Sequence, residues 1–361
     1  MKNNIVKILS AAAAGLSYCA HAFSDDLNVV ATIKPIHSLV ASITEGVSKP
    51  TLLIGGAQSP HTFSLKPSDA KALQQADAVV WVGEGLENFL VNSISTLAPD
   101  ARQIKLLRTP GLNILPFREL EQLGTLAATE NHGHDAHDHD KHGHDAHDHD
   151  KHGHDAHDHD KHGHDAHDHE ETGHDDHAHH DDSHHGHNHG EYDPHVWLSI
   201  ENTMIMVDHL RRELSDIVPA HADTFERNAD RLKNDLNDQK KKLTPLFASI
   251  AHQPFMVYHD AYQYLEAEFT LRNVGALHAN PEVLPSAGHI RQLRKQIVEN
   301  NVKCVLSEPQ FSNKLTKVLI EGLDVRTAAI DPLGAAQQPG PGLYQNVMDT
   351  IANTLEGCLR H

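Results

Sequence analysis

Residues 219–250 read PAHADTFERNADRLKNDLNDQKKKLTPLFASI, the longest helical pattern in the chain. Apolar residues recur through it every three or four positions, with charged residues between them, as in an amphipathic helix. These positions are Ala222, Phe225, Ala229, Leu232, Leu236 and Leu243. Pro219 is a favoured first helical residue. A helix of about 30 residues spans roughly 45 Å, which exceeds an ordinary domain helix. We therefore interpret residues 218–250 as a rigid connecting helix.

Short apolar segments alternate with helical segments on both sides of this helix. The predicted strands are residues 28–33, 51–54, 78–82, 254–258, 271–276, 302–306 and 326–330. Besides the long helix, three helices are predicted. One begins at Ser68, and the other two cover residues 201–217 and 286–300. This alternation is typical of parallel sheets. The sequence predicts an α/β fold of two lobes, residues 23–217 and 251–361, each a mostly parallel sheet flanked by helices and joined by one long rigid helix.

Residues 1–22 have the features of a secretory signal peptide. Two lysines precede an uncharged apolar run, and Ala20-His21-Ala22 forms an A-x-A cleavage signal. The predicted mature chain starts at Phe23. A lipoprotein signal ending at Cys19 is the competing interpretation, although Tyr18 is bulky where such signals have a small residue. No later stretch reaches about 18 apolar residues, so the mature chain is not expected to span a membrane.

Residues 131–190 form a low-complexity tract inserted in the first lobe. The tract holds 17 acidic residues against 3 lysines and so carries −14 of the net charge of −20. The chain therefore offers no basic surface for nucleic acid. Having almost no apolar residues, the tract is expected to be disordered without metal and to collect metal ions; an inert linker is the alternative. The histidines at its ends are His132, His134, His137, His139, His142, His144, His184, His185, His187 and His189.

Four candidate metal ligands share one position in the predicted fold. His61, His195, His259 and Asp331 each lie at the carboxyl end of a predicted strand or in the loop immediately after it, and open parallel sheets bind ligands at that edge. Three imidazoles and one carboxylate suit zinc, whereas manganese or calcium sites hold more oxygen. Position alone does not select these four, because Asp331 could instead cap its own turn. Other histidines are equally plausible singly, namely His37, His252, His278 and His289.

Two cysteines remain once the signal peptide is removed. They are Cys304 and Cys358. An even pair in an oxidising compartment indicates one disulfide, and two buried thiols are the alternative.

Seven short motifs follow one another along the mature chain. They are residues 60–69 (PHTFSLKPSD), 79–83 (VVWVG), 195–199 (HVWLS), 259–262 (HDAY), 280–282 (NPE), 308–311 (EPQF) and 331–334 (DPLG). In this combination, and with a His/Asp-rich insertion at the same place, the chain resembles the zinc-specific periplasmic solute-binding proteins of ABC importers, the ZnuA type. The resemblance covers essentially the whole mature chain.

The resemblance implies a ligand set. It places the metal on His61, His195 and His259, with Asp331 or a water completing the shell. Manganese-specific relatives have a glutamate where His259 stands, which favours zinc here. Some zinc members have a glutamate directly before the first histidine, but this chain has Pro60 and so lacks that extra oxygen donor.

The resemblance also implies a function and partners. We expect a periplasmic protein that captures Zn²⁺ and delivers it to an ABC permease driven by a cytoplasmic ATPase, with a disulfide between Cys304 and Cys358. A periplasmic accessory zinc protein is a candidate further partner, and a monomer is the family expectation. A zinc hydrolase is the rival from another class, but no H-E-x-x-H pattern occurs and nothing specific supports Glu308 or Asp260 as a base. A zinc buffer without a transporter and an additional adhesin role stay open.

Overall fold

The computed structural model describes residues 27–118, 191–278, 281 and 283–360. The predicted signal peptide and every tract histidine named above lie outside the described residues. Within the described ranges, no helix is both long and apolar enough to cross a membrane.

The first lobe is built on a four-stranded parallel sheet in the order β2-β1-β3-β4. The strands are β1 (Val29–Ile33), β2 (Thr51–Ile54), β3 (Ala78–Trp81) and β4 (Arg102–Lys105). The helices are α1 (Lys34–Ile43), α2 (Pro67–Gln74), α3 (Leu90–Leu97) and α4 (Ile200–Ile217). Every residue of β1, β3 and α1 is buried, as expected for the centre of a parallel sheet covered on both faces.

The second lobe repeats this plan in the order β6-β5-β7-β8. Its strands are β5 (Phe255–His259), β6 (Asn273–His278), β7 (Cys304–Ser307) and β8 (Arg326–Ala329). The connecting helix is α5 (Ala222–Ala248), and the helices after it are α6 (Gln263–Phe269), α7 (Ala287–Glu299), α8 (Lys314–Ile320) and α9 (Leu343–Arg360). All pairings within both sheets are parallel. The predicted α/β fold with two parallel sheets is confirmed.

The long helix α5 packs along both lobes. It has 27 residues, a length of about 40 Å, and it contacts α1 and α4 of the first lobe and α6 and α9 of the second. Its buried apolar face includes Phe225, Ala229, Leu232, Leu236 and Leu243, five of the positions on which the helix was predicted. The last helix, α9, returns to pack on α1 of the first lobe. The lobe boundaries at residues 217 and 251 stay a prediction, since both ends of the chain contribute to the region around α1.

Two elements differ from the prediction for local reasons. Strand β6 begins at Asn273 and not at Leu271, because the Leu271 N–H donates to the Glu266 carbonyl and so closes α6. Thr270 makes this ending possible by adopting a left-handed conformation with φ of 55°. Strand β4 was not predicted because its sequence, RQIK, is polar, as is common at a sheet edge.

The predicted disulfide between Cys304 and Cys358 is confirmed. It joins β7 to α9 across a sequence separation of 54 residues, so it fixes the last helix to the second sheet. By loop entropy, a closure of this size stabilises the fold by about 4 kcal/mol.

A buried glutamate braces the first sheet near the carboxyl ends of its central strands. Glu87 accepts a hydrogen bond from the Thr32 hydroxyl at 2.6 Å and from the backbone N–H groups of Val82 and Gly83. Burial raises the pKa of the Glu87 carboxyl to about 7, although these donors oppose the shift. The folded protein therefore favours the protonated carboxyl more than the unfolded chain does.

This shift predicts a pH dependence of stability. Below about pH 4.5 the Glu87 carboxyl is protonated in both the folded and the unfolded state, so it does not make the free energy of unfolding depend on pH. Between there and pH 7 only the folded state holds the proton, so stability falls as pH rises; a shift of this size amounts to about 3 kcal/mol. We expect urea unfolding in EDTA to show this loss between pH 5 and pH 8 in the parent relative to Glu87→Gln. Parallel curves for the two proteins would contradict it.

Candidate metal centre

Three histidines from separate parts of the chain meet where the two lobes face each other. His61 follows β2, His195 directly precedes a single 3₁₀ turn (Val196–Leu198), and His259 is the last residue of β5. Their ligand nitrogens all lie within 4.8 Å of one another. His195 and His259 are buried and His61 is half-buried. The structure therefore brings together three of the four predicted ligands. The predicted position of His195 was wrong, because among the described residues it follows no strand directly and lies instead before the 3₁₀ turn.

A carboxylate fixes the orientation of the His195 ring. Asp193 accepts from the His195 backbone N–H at 2.9 Å and lies 2.7 Å from the His195 Nδ1. When Asp193 is ionised, as beside a bound cation, its oxygens only accept, so Nδ1 carries the ring hydrogen and Nε2 presents its lone pair to the metal. Burial raises the pKa of Asp193 to about 8 and lowers the pKa of His195 well below its usual value. His195 thus favours the neutral imidazole that a metal requires.

The His259 ring is held in the same way from the second lobe. Its Nδ1 lies 3.1 and 3.3 Å from the two carboxylate oxygens of Glu308, which follows β7. Burial lowers the pKa of His259, but the carboxylates of Glu308, Asp260 and Asp193 together outweigh that effect, so the net pKa lies above the usual value. Carboxylate-bonded histidines of this kind are a common outer-shell arrangement around protein-bound metals.

The two carboxylates aim the free nitrogens of His195 and His259 at each other. Their Nε2 atoms are 3.2 Å apart. Two nitrogens bound to one zinc at about 2.0–2.1 Å in tetrahedral geometry lie about 3.4 Å apart, so the observed distance suits a shared ion. A proton on His259, whose pKa is raised, can bridge the two nitrogens, and a bound cation takes the place of that proton.

The cavity at these nitrogens is small and mostly apolar. Its volume is about 10 Å³, which is room for about one water-sized particle. Trp197, Phe311, Pro332 and Leu333 contribute to its wall. The cavity therefore suits a single ion and excludes an organic substrate. A donor set of imidazoles favours zinc and its neighbours among the transition metals over magnesium, calcium or manganese.

The structure does not bring Asp331 into the histidine cluster. Its Oδ1 accepts from the backbone N–H groups of Leu333 and Gly334 and from the Gln310 side chain, and its Oδ2 accepts from the Ala335 N–H. The carboxylate thus caps its own turn, which is the alternative that the sequence left open. A ligand role for Asp331 stays a prediction that its described contacts do not support.

The remaining candidate histidines have other surroundings. Ring nitrogens of His37, His278 and His289 lie within hydrogen-bonding distance of the backbone carbonyls of Pro50, Val283 and Ala276, respectively. His252 is exposed.

Asp193 and Glu308 are functional residues that sequence reasoning did not assign. Like His61 and His259, Glu308 lies at the carboxyl end of a strand, since it directly follows β7. Asp193 lies two residues before His195. Each signal was present, but a carboxylate near a histidine motif does not reveal which nitrogen it will contact.

Comparison with known proteins finds one family over almost the whole chain. The family described as "Zinc-uptake complex component A periplasmic" (ZnuA) matches residues 29–358. The "High-affinity zinc uptake system protein ZnuA" of Brucella abortus (strain 2308) is 39% identical over 357 residues, 99% of each chain.

Two solved structures share the fold at low sequence identity. A crystal structure of ZnuA has a TM-score of 0.67 at 18% identity and covers 92% of this chain and 99% of its own. The solute-binding protein FpvC from Pseudomonas aeruginosa, in complex with Mn²⁺, has a TM-score of 0.66 at 18% identity, covering 93% and 99%. Since one of these proteins holds manganese, the fold alone does not determine which metal is bound. The metal must be inferred from the donor atoms.

Cobalt absorption can separate a ligand role of Asp331 from a turn-capping role. With one equivalent of Co²⁺ bound, Asp331→Asn should keep the visible absorption bands of the parent, because its carboxylate is committed to the turn. His259→Ala should shift or lose those bands, since it removes a nitrogen of the cluster. A band shift in Asp331→Asn comparable to that in His259→Ala would place the carboxylate on the metal.

Proposed function

This chain belongs to the ZnuA family of periplasmic zinc-uptake components, and we propose from that premise that it captures Zn²⁺ between its lobes and delivers it to an ABC-type membrane importer. The observation that carries the proposal is the pair of Nε2 atoms, one from His195 and one from His259, facing each other at 3.2 Å. Each is backed by a carboxylate on its other ring nitrogen. His61 supplies the third nitrogen.

Zinc is the ion that suits these donors best. Zn²⁺ binds imidazole nitrogen in four-coordinate geometry, and a water or an oxygen of a nearby side chain completes the shell. A manganese carrier needs more oxygen donors than this cluster offers. The zinc ion is cargo here, so it must be bound reversibly.

The division of ligands between lobes suits a carrier. His61 and His195 belong to the first lobe and His259 to the second, so a relative movement of the lobes breaks coordination without unfolding either lobe. The receiving partners are an ABC permease and its cytoplasmic ATPase, and the compartment is the periplasm. A monomeric state and an accessory zinc protein stay predictions.

Catalysis is not the role of this site. The family is one of solute-binding components, so the chain is not an enzyme. The two acids that a hydrolase would use as a general base already have partners. Glu308 contacts His259, and Asp260 accepts from Arg118.

Competitive zinc titration tests the site. The parent should show one tight site, and His259→Ala should weaken it by more than the roughly 10–100-fold typical of losing an outer-shell partner. His252→Ala is the matched control, since it removes an exposed histidine of the same lobe and should leave the tight site unchanged. Tight binding that survives His259→Ala would mean that zinc binds elsewhere.

We further propose that the tract at residues 131–190 collects additional zinc. Its histidines and acidic residues are suitable donors, but a chain without a core must be ordered in order to chelate, so its sites should be weaker than the three-histidine site. Deleting residues 131–190 should lower the zinc stoichiometry measured by calorimetry while one tight site persists with its affinity unchanged. Loss of the tight site on deletion would contradict the division of roles.

A further inference from the structure

A buried lysine of the first lobe reaches across to the second lobe beside the metal site. Lys34 is the first residue of α1, directly after β1, and is only 4% exposed. Its ammonium donates to the backbone carbonyls of Gly334, Ala335 and Gln337 at 3.0, 2.7 and 2.9 Å. An ammonium has three N–H donors, so all three are used on one loop of the second lobe.

That loop, residues 331–337, forms part of the wall of the metal cavity, and we call it the wall loop. Pro332 and Leu333 line the cavity. The Pro332 carbonyl also accepts from the indole Nε1 of Trp197 at 3.0 Å, and Trp197 belongs to the 3₁₀ turn that follows His195. The wall loop is therefore bonded to the first lobe at two points, Lys34 and Trp197.

The wall loop lies between two opposite charges. Its carbonyls point to the Lys34 ammonium, and three of its N–H groups donate to the Asp331 carboxylate. Burial lowers the pKa of Lys34, and the charge of Asp331 partly opposes that shift. Losing Lys34 leaves three carbonyls without their donor, one in a buried and two in half-buried places, and buried groups are costly to leave unpaired.

A second contact of α1 supports the same tie. One turn after Lys34, the Ser38 hydroxyl accepts from the backbone N–H of Tyr344, at the start of α9. The Tyr344 hydroxyl in turn donates to the Trp197 carbonyl at 2.9 Å. The first turns of α1 thus hold both the wall loop and the helix that follows it.

From these contacts we propose that Lys34 is a positioning residue that ties the wall loop to the first lobe and thereby slows the release of zinc from the three-histidine site. The inference rests on the proposed function. An ion leaving the cavity must pass the wall or part the lobes, and either movement pulls the wall loop from Lys34. Packing alone would be served by an apolar side chain, since burying a charge carries a large desolvation cost.

The test is the rate of zinc dissociation from the full mature chain. Zinc-loaded protein is mixed with excess 4-(2-pyridylazo)resorcinol, and the coloured complex is followed in a stopped-flow instrument. The tract should release its zinc in fast phases and the three-histidine site in a slow phase. Loss of the slow phase in His259→Ala assigns it. A parent without such a phase would overturn the proposed function, and this proposal with it.

We expect Lys34→Met to speed the slow phase about tenfold or more, because hydrogen bonds to a charged group are strong enough to change a rate by that factor. The association rate should stay near that of the parent, since the ligands themselves are intact. Lys34→Gln keeps two N–H donors and should be intermediate. Lys241→Met, which removes an exposed lysine of α5, is the matched control and should leave the slow phase unchanged.

A purely structural role for Lys34 gives a different result. In that case Lys34→Met lowers the free energy of unfolding but leaves the slow phase of the folded protein at the parent rate, and this outcome overturns the proposal. If Lys34→Met does not fold, Lys34→Gln is judged by the same criterion, and an unchanged slow phase in that variant is equally decisive.

Discussion

Two buried imidazole nitrogens 3.2 Å apart impose a condition on the rest of the molecule. Each ring is oriented by a carboxylate of its own lobe, Asp193 for His195 and Glu308 for His259, so neither lobe holds the pair alone. The distance between the nitrogens depends on how the lobes are joined. Helix α5, which packs along both lobes, and helix α9, which returns to α1, are therefore as much a part of the site as the ligands.

Charge balance explains why this arrangement suits a divalent cation. Three neutral imidazoles add no charge, and Asp193 and Glu308 together can offset a charge of +2 from behind the rings. The neighbouring Asp260 has its own partner, since Arg118 donates to both of its oxygens and also to Glu266. Without a cation, a buried carboxylate is costly, and the pKa of Asp193, raised to about 8 by burial, expresses that cost.

The sequence predicted the fold correctly where a pattern of apolar residues is compatible with only one kind of secondary structure. The apolar spacing in residues 219–250 predicts a long helix, and the alternating strands predict parallel sheets, because each pattern has few physical solutions. The strand-end rule together with motif resemblance placed His61 and His259, whereas His195 follows no described strand directly and was placed by its motif alone. Contacts between distant segments carry no such local pattern. Neither the return of α9 to α1 nor the reach of Lys34 to the wall loop, 300 residues away, leaves a periodic trace in the sequence.

Asp331 shows the same limit within a single motif. In residues 331–334, DPLG, the carboxylate suits either a metal or its own turn, and the motif alone does not choose. The structure accounts for every position through the turn. Asp331 binds the N–H groups that follow, and Pro332, which has no N–H, offers its carbonyl to Trp197. Gly334 has a φ of +68°, and a Cβ there would lie 2.7 Å from Val347, so only glycine fits. The motif is thus explained as the geometry of the cavity wall, in which Asp331 caps the wall loop that Lys34 holds.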